Sequence, residues 1–135
     1  MAALSSLSKF RNTGLLLLRV GVGFLFILHG YPKLLGGPDM WHGVGGAMGR
    51  IGVTAFPAVW GFLAGLVETL GGVFLIIGFF FRPTTLLLTF VMAIASLHHL
   101  GAGEGIMGAA HALKMGAVFL GLSFIGPGKY SVDKR

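Results

Sequence analysis

Cysteine is missing altogether, charge is scarce, and proline occurs only five times in 135 residues. The lack of cysteine excludes disulfide scaffolds, Cys-based zinc sites, iron–sulfur clusters and thiol redox relays. Charged residues make up 10% of the chain, against roughly 25% in a soluble domain, so the surface needed to stay in water is absent. What fills the chain instead is hydrophobic side chains, at 55%. A net charge of +6 raises the question of nucleic acid, but the ten Lys and Arg form no stripe. They sit mostly at the ends of apolar segments, where cations orient membrane helices. The sequence is that of an integral membrane protein in contact with the lipid bilayer, with no nucleic-acid partner expected.

A membrane helix needs about 20 mostly apolar residues. Four spans are expected, at about 14–31, 58–81, 84–100 and 108–125, within a single domain covering 1–135. The five prolines (Pro32, Pro38, Pro57, Pro83 and Pro127) are expected outside these spans. Pro57 and Pro83 suit helix starts, where a missing N–H costs nothing, and Gly126-Pro127-Gly128 reads as a stop. The first span resembles a secretory signal in its basic start at Lys9 and Arg11. Its apolar run continues past Leu18 with no small-x-small cleavage site, so a retained helix is expected. Four spans put both termini and the loop after span two on one side, with Lys9, Arg11, Arg82, Lys129, Lys134 and Arg135. Only Lys33 and Arg50 lie opposite, so the positive-inside rule places both termini in the cytoplasm.

The first outer loop is too long for a turn. Met40, Trp41, Val44, Met48 and Ile51 recur at helical spacing, which predicts a short interfacial helix that leans on membrane or protein contact. The fold class is therefore an all-α membrane bundle of four transmembrane helices with that helix in its first outer loop. Glycine is abundant, 24 residues. Gly61-x-x-x-Gly65 and Ala117-x-x-x-Gly121 are spacings that allow close helix approach. Gly21-x-Gly23 follows no strand, which removes a dinucleotide reading.

Charges inside an apolar span cost about 2.5–3.5 kcal/mol on insertion scales, and Arg19, Glu68 and Lys114 are such charges. Glu68 lies about 15 Å into span two at the helical rise. Arg19 from one side and Lys114 from the other are expected to reach toward it, forming a buried charge network. Two roles fit Glu68: a structural ion pair that fixes register, or a carboxylate that handles protons or anchors substrate. Histidines form a second group. His29, His98, His99 and His111 all fall within about 4–9 Å of the outer hydrocarbon boundary. They are expected to line a ligand or quinone pocket floored by Lys114 and Glu68, with one of the adjacent pair His98 and His99 turned elsewhere. Interfacial hydrogen bonding is the simpler role for them. The irregular spacing, without HxxxH or HxxEH, fits a metal or haem less well than a quinone, and no metal site is expected.

Several fragments together are familiar. Arg19-Val20-Gly21 and His29-Gly30-Tyr31-Pro32-Lys33-Leu34 resemble the first-helix signature of the DoxX family. Glu68-Thr69-Leu70-Gly71-Gly72, then Leu75-Ile76-Ile77-Gly78 and Arg82, resemble its second helix. The ending from Gly126 to Asp133 resembles its tail, so the resemblance covers nearly the whole chain. It implies a four-helix inner-membrane protein, and the family's founding association is with membrane subunits of a thiosulfate:quinone oxidoreductase. Other members are linked to oxidative-stress complexes. The matching charged positions are Arg19, Lys33, Glu68 and Arg82, whereas His98, His99 and His111 match none of its motifs.

The expected function is a small membrane subunit of a redox complex, contacting quinone and bound to other membrane or redox proteins or to its own copies. The alternative is a structural accessory subunit without chemistry of its own. A carrier role through Glu68 has little support, because four short spans show no inverted repeat.

Overall fold

The computed structural model describes residues 3–134. Five α-helices carry the chain: α1 (Arg11–Leu35), α2 (Pro38–Gly45), α3 (Pro57–Ile77), α4 (Phe81–Gly101) and α5 (Gly105–Ile125). Short 3-10 helices precede α1 (Ser5–Phe10) and follow α2 (Gly46–Ile51). Among the described residues no strand occurs. Helices α1, α3, α4 and α5 are long and apolar enough to cross a membrane, and α2 lies between the first two of them.

The turns follow from backbone chemistry. Helix α3 ends at Gly78, which takes the left-handed conformation (φ 71°) and donates its amide to the Phe74 carbonyl at 2.8 Å. Phe81 therefore opens α4 instead of closing the preceding span, and Pro83 sits in the first turn of α4, where its missing N–H removes no helical bond. Pro32 is a correction to the sequence expectation. It lies inside α1, which continues to Leu35. Packed neighbours in a membrane bundle tolerate such a proline. The continuation matters, because it keeps Lys33 on the helix rather than in the loop.

Helices α1 and α3 touch backbone to backbone. A Cβ on Gly23 would stand 2.5 Å from the Gly72 carbonyl oxygen, and one on Gly72 equally close to the Gly23 oxygen. Seven residues along each helix the contact recurs, with Gly30 against Glu68 and Thr69, and Gly65 against Lys33. The Gly61-x-x-x-Gly65 spacing serves two partners: Gly61 faces the Trp41 backbone of α2, and Gly65 faces α1. Helix α2 is thus docked on α3, with Gly45 against Pro57. The Trp41 indole donates to the Lys33 carbonyl at 2.8 Å and packs edge-on to Phe62. The Ala117-x-x-x-Gly121 spacing behaves differently: a Cβ on Gly121 would meet nothing within 4 Å.

Leu75, Phe81, Leu88, Met92, Phe119 and Leu122 form the core with Phe26, and the Phe26–Phe119 ring pair (4.9 Å) ties α1 to α5. Past Gly126 the tail turns back over the α3–α4 turn. Val132 and Asp133 amides donate to the Ile77 and Gly78 carbonyls, and the Asp133 carboxylate accepts from the Phe81 amide at 2.7 Å. The first half of α1, the tail and the α3–α4 turn thus meet at one end of the bundle, opposite α2.

Candidate functional site

Glu68, in the middle of α3, is 1% exposed and needs a cation. Lys33 supplies it. Its stem lies against Gly65, where no side chain intrudes, and its ammonium reaches one turn deeper. There Nζ donates to both Glu68 oxygens at 2.9 Å, with the Lys33 side chain 22% exposed. An ammonium carries three N–H donors, so one is left for another acceptor.

Lys33 and Glu68 also line a cavity of about 290 Å³. Its floor is Lys33 and Glu68, its roof Gly43, Val44 and Ala47, and its far wall α4 with Ile94, His98 and His99. His98 Nδ1 is buried there and has no hydrogen-bond partner among the described residues. His99 also lines the cavity, but its Nδ1 is engaged with Glu104 at 2.9 Å. A buried polar atom without a partner costs roughly 1–3 kcal/mol, and among the described residues His98 Nδ1 shares that state with Arg19 Nε at the other end of the bundle.

The expected charge network and the single histidine pocket both need correction. Glu68 pairs with neither Arg19 nor Lys114. Arg19 contacts the Ile76 carbonyl, eight residues from Glu68 and so about 12 Å along α3. Its guanidinium donates to the carbonyls of Pro127 (3.1 Å), Ile76 (3.3 Å) and Tyr130 (2.7 Å). Lys114 is exposed and lines neither histidine cavity. The histidines divide into two places. His29 and His111, ring centroids 5.8 Å apart, line a groove of about 280 Å³ with Val22, Leu25, Phe26 and Met115. His98 and His99 line the charged cavity. Depth along the helices placed all four in one layer, but direction around each helix separates them.

Lys33 is the residue that sequence reading missed as part of the site, because Pro32 marked it as loop. Two signals pointed to it: its place in the first-helix motif, and the need of Glu68 for a cation at a reachable depth.

The family model of DoxX matches residues 14–100, well over half the chain. The chain belongs to the DoxX family. Lys33, Glu68 and His98 of this DoxX protein all lie within the matched stretch. Among its relatives is an "Uncharacterized protein" of Haemophilus influenzae, 33% identical over 98% of this chain and 97% of the relative. Inner membrane protein YqjF of Escherichia coli is 31% identical over 95% of each chain. Inner membrane protein YphA of the same organism is 27% identical, covering 90% of this chain and 89% of its own. No solved structure matches the chain.

Proposed function

We propose that this DoxX protein is a small inner-membrane subunit of a redox system and that the Lys33–Glu68–His98 cavity receives a quinone head group. The observation that carries the reading is a cavity lined by the Lys33 ammonium, which has a third N–H beyond its two bonds to Glu68, and by the His98 imidazole, whose buried Nδ1 has no partner among the described residues. Quinone carbonyls are hydrogen-bond acceptors, and both groups can donate to them. The remaining wall (Val44, Val91, Ile94 and Ala95) is apolar, as a site for a lipid-soluble ring requires. When bound, the quinone supplies two-electron, two-proton chemistry. Lys, Glu and His side chains hold the ring and handle protons, so electrons come from the partner complex. The Lys and Arg distribution supports cytoplasmic termini, which puts the cavity in the outer half of the membrane.

Extraction of quinone from protein purified in mild detergent tests this reading. Wild type should carry quinone, and His98→Ala should lose most of it while staying folded. No quinone in wild type, or an unchanged amount in His98→Ala, sinks the reading. The Lys33–Glu68 bond also fastens α1 to α3, which is what a purely structural accessory subunit needs; a folded, ligand-free wild type would favour that role. Orientation is tested with single cysteines on the cysteine-free background. Gly46→Cys and Thr54→Cys should react with an impermeant thiol reagent from outside, and Ser8→Cys should not.

A further inference from the structure

Lys114 has nine residues of α5 before it and eleven after, about 14–16 Å from the two helix ends. Its side chain is on the outside of the bundle, and no ion pair or hydrogen bond joins it to any described residue. A lysine near a helix end escapes by snorkelling to the interface. From the middle of the span its stem is too short, and the ammonium stays at hydrocarbon depth, where charges are expensive and find partners.

This chain has four acidic residues to offer. Asp39 is in the first turn of α2, Glu104 caps the start of α5 beside His99, and Asp133 holds the Phe81 amide at the opposite end. Glu68 is enclosed with Lys33. None presents a carboxylate at mid-span on the outer surface, so a second copy of the chain has nothing to neutralise Lys114. Lipid phosphates lie at the interfaces, equally out of place. The same face carries Ala117 and Gly121, three and seven residues on, both exposed, with open space where a Gly121 Cβ would be. Small residues beside a polar one allow a foreign helix to approach closely.

We propose that the face of α5 around Lys114 docks a transmembrane helix of a different protein, whose Asp or Glu neutralises Lys114 near the bilayer midplane. The proposal rests on the reading of this protein as a subunit of a larger complex, and not on the ligand of the cavity. The test places benzoylphenylalanine at Ala117 in the full chain, in the membranes of its own host, and irradiates. The expected product joins Ala117→benzoylphenylalanine to an apolar segment of another protein with Asp or Glu within one turn of the attachment. Its yield should survive Lys114→Arg and fall about tenfold in Lys114→Met, a loss typical of one interhelical polar contact. Neutralising the partner's acid should produce the same fall.

Attachment to a second copy, to lipid alone, to a segment without an acid, or to nothing overturns the proposal, as does a yield indifferent to Lys114→Met. Lys114 is exposed, so Lys114→Met should keep the thermal stability of wild type in detergent; a stability loss as large as that of Glu68→Gln would assign Lys114 to the fold and overturn the docking role. Loss of quinone binding with the crosslink intact sinks the cavity reading alone. A Lys114-independent crosslink with quinone still bound sinks this one alone.

Discussion

Arg19 and Glu68 are buried to the same degree, each 1% exposed, yet the two halves of the bundle satisfy them in different ways. At the end where the tail returns, Arg19 has no carboxylate among the described residues. Its partners are backbone carbonyls at the end of α3 and in the segment after α5. The last carbonyls of a helix have no helical donor and carry its negative dipole end, so they suit a cation without a second charge. In the α2 half, Glu68 takes a full counter-charge from Lys33 and borders empty space. The first arrangement closes a surface although Nε of Arg19 has no partner there among the described residues, whereas the second sets Lys33, Glu68 and His98 around a cavity. Burial of a charge, even with an unpartnered nitrogen beside it, therefore does not by itself mark a binding site; a cavity lined by the charge is needed as well.

The largest test of this contrast is to break the pair. Removing one member of a buried pair costs about 3–5 kcal/mol in soluble proteins. Glu68→Gln and Lys33→Met should each lower thermal stability in detergent strongly, and Lys33→Met with Glu68→Met should recover part of the loss. Pairing Glu68→Gln with Arg19→Gln or Lys114→Gln should recover none; recovery there would restore the network that the geometry rejects.

At the other end, Arg19→Gln should cost about 1–3 kcal/mol for each carbonyl left without a donor, and it should free the tail. Limited proteolysis reads the difference: cleavage after Lys129 should rise in Arg19→Gln and not in Glu68→Gln. Equal cleavage in both would mean the two halves do not melt separately. Glycines sharpen the comparison further. Gly72→Ala drives a Cβ into the Gly23 carbonyl and the Ile27 side chain, an overpacking of about 1–3 kcal/mol. Gly121→Ala meets nothing and should stay within about 0.5 kcal/mol of wild type. The smallest stability effect belongs to His98→Ala, which removes an unpartnered buried nitrogen and should be nearly neutral to thermal unfolding. It should act on ligand content alone.

Much of the fold was legible in the sequence because the bilayer restricts the choices. Run length and glycine–proline punctuation marked out the four spans, and the helical spacing of Met40, Trp41, Val44, Met48 and Ile51 marked the short helix between the first two. Pro32 misled the boundary, since the helix-breaking habit of proline is a rule of water, where no packed neighbour covers the freed carbonyl. The site was less legible. Glu68 announced itself by depth, but its partner depends on how α1 and α3 register through Gly23, Gly30, Gly65 and Gly72, which no single helix reveals. The histidines show the same limit: counting residues gives height, and each residue turns the helix by about 100°, so one shared layer became two separate places. The tail was read as a stop signal, and nothing in its periodicity foretold the return across the α3–α4 turn.

Arg19 is separated by 108 and 111 residues from Pro127 and Tyr130, two of the three groups that hold it. Both lie beyond the last helix, so the chain has to be made almost to its end before those two acceptors exist. Without them one of the three remains, the Ile76 carbonyl at the end of α3. A chain cut before Pro127 should therefore hold Arg19 by that one bond and lose stability at the end of the bundle where the tail returns.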